Sequence, residues 1–339
     1  MLLLGEGAVR VRQTLKYGSA KTVEDLYVVD PASGLRVPIA GITSGRITVN
    51  QLGFRGPEIT VPKPPGTVRI AFLGASTTWC AEASSNEKVW PHIVTSGLRA
   101  TFPGTRFDYV NAGVPGYTVR TSLKNLEHRV APLDPDVIVI YHAANNLSGE
   151  MRELAAAAGL IADSKVPERS WLATHSLLWD LVEKNLAVMS AQQAVRENAG
   201  RLEVDTARVG SAFRRDLVDL VTATKQRANV VAIATFSTQL RRGQSSQEQV
   251  NAAVSALYYM PFMAPATLTE AYSRYNDIIR EVAHETGVML IDGEDTIPGD
   301  SVHFADTVHF TDAGSERMAA RVLRVLAAHP SVRRIVEQR

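Results

Sequence analysis

Several features that would narrow the field are scarce or missing in this chain. Its single cysteine, Cys80, rules out an internal disulfide and leaves no thiolate cluster for zinc. One cysteine fits a reducing compartment. Charge of one sign is also lacking. The 36 basic residues are balanced by 35 acidic ones, so nothing indicates a polyanionic partner such as nucleic acid. Long apolar runs are absent too. Leu2-Leu3-Leu4 is followed at once by Gly5 and Glu6, which gives neither a signal h-region nor a span of about 20 apolar residues. The expectation is a chain without an integral membrane segment, located in the cytoplasm. Those leucines leave open an anchor or export signal lost from the amino terminus. No internal repeat is visible.

What remains is ordinary globular material, 45% hydrophobic and 21% charged, over 339 residues. That length suits one large domain with insertions or two domains. Residues 1–65 read as an extension before the main fold. In it, Tyr27–Val29 and Leu35–Val37 form a short hairpin around Asp30-Pro31-Ala32-Ser33-Gly34, and Asn50–Glu58 is loop-like. The main domain is expected over 66–339.

Strands and helices alternate through that domain. Short apolar runs at Val68–Leu73, Phe107–Asn111, Val137–Tyr141, Val230–Ala234 and Val288–Ile291 read as buried strands. Helical periodicity falls between them. Such alternation implies a mainly parallel sheet of about five strands, in a three-layer α/β/α, flavodoxin-like arrangement. The alternation pauses at residues 148–205, where an Ala-rich helical insertion carries Trp171, Leu177, Leu178, Trp179 and Leu181. This segment is read as a cap over the carboxyl edge of the sheet, or as a packing flap. The polar stretch from Arg241 to Gln249 is read as a mobile loop.

The stretch from Val68 to Cys80 organises the rest. Its apolar run stops at Gly74, and Ala75-Ser76-Thr77-Thr78 follows, which puts Ser76 at the carboxyl end of a strand. Open α/β sheets keep their ligand crevice there. Taken alone, Ser76 is either a helix cap or a nucleophile. Polar or glycine-bearing turns after other strands carry Gly116, Asn145, and Asp306 with His309. In a parallel sheet these turns open on the same edge, although the residues lie about 230 positions apart.

The residue types suit acyl chemistry. A serine hydroxyl attacks only if a base takes its proton, and histidine titrates in the right range. An acceptor on the second imidazole nitrogen fixes the tautomer. The N–H groups of Ser76 and Gly116 and the Asn145 amide are candidate donors to a developing oxyanion. Asp300-x-x-His303 repeats the spacing of Asp306-x-x-His309, so spacing alone does not choose between the pairs. A metal site from His303, Asp306 and His309 is conceivable, but such combinations arise easily within a loop, and no metal or cofactor is expected.

GASTT at 74–78, NAGVPGYT at 111–118, YHAANNL at 141–147 and DTVHFTDAGSERMA at 306–319 together resemble the four blocks of the SGNH (GDSL-type) hydrolases. The resemblance covers roughly residues 46–150 and 225–327 and implies a metal-independent serine esterase or deacylase. It implies Ser76 as nucleophile, His309 as base, Asp306 as its orienting acid, and Gly116 and Asn145 as oxyanion donors. Asp300 and His303 lack the following Phe-Thr and glycine and are set aside. Two departures from the pattern stand out, Ala75 in place of the usual Asp and Asn146 in place of an acid. Thr77, His142 and Asn146 are candidates for the substrate pocket, although for His142 a packing role is the favoured reading. Cys80 is given no catalytic part. The implied partner is a small-molecule or glycan ester. The alternatives are an acyltransferase passing the acyl group to an alcohol or sugar, and a non-catalytic binding protein on the same fold.

Overall fold

The computed structural model describes residues 2–17, 26–166, 170–196 and 201–338. Parts of the expected extension and cap, at 18–25, 167–169 and 197–200, lie outside the described residues, as do Met1 and Arg339. The chain opens with α1 (Leu2–Tyr17). Two small antiparallel pairs follow, β1 (Tyr27–Val29) with β2 (Arg36–Pro38), and β3 (Thr43–Ser44) with β4 (Ile47–Thr48). Next come β5 (Thr67–Gly74), α2 (Ser76–Trp79), α3 (Trp90–Thr101), β6 (Arg106–Asn111), α4 (Val119–Asn125) and β7 (Val137–Tyr141). After α5 (Ala144–Ala157), α6 (Trp171–His175), α7 (Leu177–Arg196) and α8 (Ser211–Lys225) comes β8 (Val230–Ala234). Then α9 (Ser246–Ala252), α10 (Val254–Tyr259) and α11 (Pro265–Thr286) lead to β9 (Met289–Ile291). Helices α12 (Asp312–Ala328) and α13 (Pro330–Glu337) follow.

Strands β5 to β9 form one parallel sheet in the order β6-β5-β7-β8-β9. Every residue of β5, β7 and β8 is buried, as strands covered on both faces must be. This is why they read as unbroken apolar runs rather than alternating ones. Right-handed crossovers place the connecting helix on opposite faces when the chain steps in opposite directions along a sheet. The chain steps one way from β5 to β6, then back past β5 to β7, β8 and β9. Accordingly α4, α8 and α11 pack on one face, and α3 meets α12 on the other. The expected three-layer α/β/α fold is present, with its strands in flavodoxin-like order. The reversal at β5 and β7 is the topological switch point of the sheet.

One charged residue interrupts the apolar pattern of β5. Arg69 is fully buried, and its guanidinium forks onto both carboxylate oxygens of Asp108 at 2.8 and 2.7 Å. It also donates to Leu133 O and Thr60 O, each at 2.8 Å. A buried cation is tolerable only when paired and hydrogen-bonded in this way.

A second apolar cluster lies beside the main core. Leu26, Tyr27, Leu35, Val37 and Val49 from the amino-terminal region pack with Ala75, Trp79, Val114 and Tyr117. The Tyr27 and Trp79 rings are 5.9 Å apart. Ala75 is only 7% exposed in this cluster. A carboxylate at that position would be desolvated among apolar groups, which gives a physical reason for alanine there.

In the insertion, α7 packs against α6, α1 and α10. The Glu6 carboxylate of α1 accepts from Ser176 Oγ (2.8 Å), Leu177 N (3.3 Å) and Leu178 N (3.0 Å) at the start of α7. Trp171 is 71% exposed, Trp179 is also exposed, and Leu177, Leu178 and Leu181 are only half-buried, so these residues do not form a buried apolar cluster. The Arg241–Gln249 stretch also differs from the expected mobile loop, because α9 begins within it. Ser245 and Glu248 form a reciprocal capping box, whose S-x-x-E signature is present in the sequence.

Candidate active site

From Thr67 to Cys80 every residue is buried except Ser76. Gly74 lets the chain turn directly from β5 into α2, since a Cβ there would collide with the Thr78 hydroxyl. Three successive carbonyls of this turn are each taken by a side chain from elsewhere. Trp90 Nε1 donates to Thr77 O (3.0 Å), Asn111 Nδ2 to Thr78 O (2.9 Å) and Arg55 Nη1 to Trp79 O (2.9 Å). Arg55 is fully buried and also donates to Cys80 O and Asn86 Oδ1. Ser76 is thus presented on a turn with little freedom to move.

His309 Nε2 lies 2.8 Å from Ser76 Oγ, and His309 Nδ1 lies 2.7 Å from Asp306 Oδ2. The second Asp306 oxygen accepts from the N–H groups of Val308 (2.9 Å) and His309 (3.0 Å), which locks the carboxylate. The intervening Thr307 is buried. Its hydroxyl accepts from Ala256 N (3.2 Å) and its carbonyl from Gln239 N (2.8 Å). Burial pushes the Asp306 pKa up, but the facing His309 and the hydrogen bonds outweigh it and hold the carboxyl below its ordinary value. Burial pushes His309 down, yet the charge and hydrogen bond of Asp306, with a contribution from Glu82, leave it above the ordinary imidazole value. The arrangement favours an imidazole that donates from Nδ1 and accepts the serine proton at Nε2.

Strands β6 and β7 flank β5 directly, so the turns after them border Ser76 on its two sides. Gly116, with φ at +86°, lies in the turn after β6. Asn145 lies at the start of α5 after β7, and its Nδ2 donates to Tyr117 O at 2.9 Å. That bond ties the two turns together and uses one of the two amide hydrogens. Helix α2 has only one turn, so donors at this site are individual N–H groups rather than a strong helix dipole.

Of the other expected pocket residues, His142 and Thr77 are buried and Asn146 is half-buried. His142 is buried, with Nε2 2.8 Å from Ser122 Oγ, and burial pulls its pKa down to about 3. It is a neutral packing residue and does not face the mouth. Thr77 is also buried and contributes its carbonyl to Trp90. Asn146 Oδ1 accepts from Val119 N (3.1 Å) at the start of α4. Cys80 is buried beneath the turn, where burial pushes its thiol up to about 11. His303 pairs with Asp300 through Nδ1 at 2.8 Å and so repeats the turn geometry, but the ring within reach of Ser76 is that of His309. Both ring nitrogens of His309 are engaged by Ser76 and Asp306, an arrangement that differs from a metal site shared with His303. Sequence reasoning missed the supporting roles of Arg55, Asn111 and Thr307. Only the polar character of Asn111 beside its glycine turn could have hinted at one.

The sequence profile of the GDSL-like lipase/acylhydrolase family matches residues 72–317. The chain belongs to this family. It is an SGNH-type esterase, and the matched span runs from β5 into α12 and includes Ser76, Gly116, Asn145, Asp306 and His309. No curated protein matches the chain significantly. Among solved structures, the acetylxylan esterase from Geobacillus stearothermophilus is 16% identical. The match covers 78% of this chain and 96% of that one, with a TM-score of 0.47. A lipase/acylhydrolase from Enterococcus faecalis is 17% identical over 77% of this chain and 95% of that one, with a TM-score of 0.45. An alpha/beta hydrolase from the metagenome of Lake Arreo is also 17% identical, over 76% and 94%, at a TM-score of 0.45.

Proposed function

We propose that the protein hydrolyses carboxylic esters through an acyl-enzyme on Ser76. The supporting observation is the continuous chain from Ser76 Oγ through both nitrogens of His309 to Asp306, in which each contact is 2.7 or 2.8 Å. In this reading Ser76 Oγ attacks the ester carbonyl while its proton passes to His309 Nε2. Asp306 stays ionised and stabilises the imidazolium. The N–H groups of Ser76 and Gly116 and the free hydrogen of the Asn145 amide receive the negative charge that builds on the carbonyl oxygen. His309 then gives its proton to the departing alcohol. Water activated by the same imidazole splits the acyl-enzyme, releasing the acid and restoring Ser76.

The engaged geometry favours a catalyst over a non-catalytic scaffold on the same fold. The test is turnover of p-nitrophenyl acetate by wild type and Ser76→Ala, with folding checked by circular dichroism. The expected result is turnover by wild type and background hydrolysis by a folded Ser76→Ala. Equal turnover by the two proteins contradicts the proposal.

A further inference from the structure

The amino-terminal hairpin reaches the site through Arg36. Its Nη2 donates to Pro115 O at 2.8 Å, and its backbone carbonyl accepts from Tyr117 Oη at 2.8 Å. Arg36 therefore brackets Gly116 through both chain neighbours. The direction in which a Gly116 side chain would project leads to Arg36 Nη2, 3.8 Å from that Cβ position. The guanidinium carbon lies 4.5 Å from the centroid of the Tyr27 ring. An arginine stacked on an aromatic face keeps its N–H donors in its own plane, available to a planar acceptor.

Only one of the five guanidinium hydrogens is accounted for by Pro115. The residue is exposed, and among the described residues no carboxylate lies within ion-pair distance of it. The turns bordering Ser76, Val114–Thr118 and Ala143–Leu147, contain no acid to offset its charge. The acid that acts on the catalytic dyad from outside, Glu82, exerts its influence on His309 instead. The mouth is therefore electrostatically uneven, with a cation beside Gly116.

We infer that Arg36 is a specificity-determining residue that takes a carboxylate carried by the substrate, so that the preferred substrates are anionic esters. This rests on the serine-esterase reading above and names the substrate class for that same site. A carboxylate paired with an arginine fork gains charge-assisted hydrogen bonds that a neutral isostere lacks. The charge can come from the acyl part or from the alcohol, and the experiment separates the two sources.

The measurement is kcat/KM for two matched pairs, phenyl hemisuccinate against phenyl methyl succinate and 3-acetoxybenzoate against its methyl ester. Wild type, Arg36→Lys and Arg36→Gln are compared. The charged-to-neutral ratio is read, so any general loss from disturbing the Pro115 turn cancels. The expected result is a ratio that favours the charged ester in at least one pair and falls about ten-fold in Arg36→Gln. An intermediate value is expected in Arg36→Lys, with weakening of the wild-type preference at 0.5 M NaCl, a concentration chosen for about full screening. The pair that responds identifies whether the acyl or the alcohol side faces Arg36. Ratios that are the same in wild type and Arg36→Gln for both pairs overturn the inference while leaving the esterase reading intact. A wild type that turns over none of the four esters overturns both.

Discussion

Asn145 Nδ2 and Tyr117 O are joined by a 2.9 Å hydrogen bond that spans the two turns on either side of Ser76. The turn after β6 and the turn after β7 are thereby held at a fixed separation across the end of β5. In the proposed mechanism the second amide hydrogen goes to the carbonyl oxygen of a substrate. Asn145→Ala is expected to lower kcat about 10²–10³-fold, with a much smaller change in KM, because the lost donor matters most when charge has built up. Steady-state kinetics with p-nitrophenyl acetate check this. A change confined to KM would contradict the assignment.

The pH dependence follows from the direction of the His309 shift. His309 must be neutral to accept the serine proton, and its pKa in the folded protein is raised by Asp306. Activity is therefore fully present at high pH and is lost as pH falls through a value above the ordinary imidazole pKa of about 6.5. In Asp306→Asn the raising interactions of Asp306 are gone, and only the smaller contribution of Glu82 opposes the downward push of burial. The acid limb of kcat/KM is expected to move to lower pH in that variant while kcat falls. An acid limb in the same place would show that Asp306 does not set the basicity of His309.

Ala75 offers a test of the amino-terminal packing. It is buried against Tyr27, Trp79 and Tyr117. In Ala75→Asp a carboxylate would enter apolar surroundings, and its folded-state pKa would be raised above the unfolded value of about 3.9. The variant should lose stability as pH rises past that value, on the order of 3 kcal/mol at about pH 7 and less at about pH 4. Urea midpoints at the two pH values measure the difference. Equal midpoints for the variant and wild type at both would mean that the cluster does not exclude a charge.

Arg69 separates stability from chemistry. The pair between its buried guanidinium and the half-buried Asp108 carboxylate lies near the start of β5, away from Ser76 in the chain. Arg69→Ala leaves the half-buried Asp108 carboxylate without its fork and is expected to cost about 2–3 kcal/mol, below the figure for a fully buried pair because water reaches Asp108. Arg69→Met combined with Asp108→Leu should recover most of that loss, because no charge is left unpaired. Urea unfolding of the three proteins decides. A double variant no more stable than the single one would contradict this account.

How much of this was legible in the sequence depends on the kind of signal. Val137–Tyr141 and Val230–Ala234 are strands in which every residue is buried, and an apolar run with a glycine or polar exit states that directly. The convergence of Ser76 with an Asp-x-x-His turn followed from strand–helix alternation, since parallel strands bring their exits to one edge, while the choice of His309 over His303 came from the family resemblance. Arg69 reads as an ordinary charge in an apolar run, because its partner Asp108 belongs to the neighbouring strand and the pairing depends on register. Arg55 was hidden for a similar reason. Most of its partners are backbone carbonyls, which carry no sequence identity, and its one side-chain partner, Asn86, lies 31 residues away. His142 could not be fixed by position alone, because a polar residue at a strand end can turn toward the mouth or, as here and as its favoured packing reading has it, toward Ser122. The helix α9 was legible in principle, through Ser245 and Glu248, but the surrounding polarity masked it.

The central claim is that Ser76 is a nucleophile activated by His309. Its most direct test is intact-mass and peptide mass spectrometry after reaction with a fluorophosphonate, which forms a covalent adduct only with an activated hydroxyl. Wild type is expected to gain a single adduct, located on Ser76, with His309→Ala reacting far more slowly and Ser76→Ala not at all. An unlabelled wild type, or an adduct that persists on Ser76→Ala, would contradict the account.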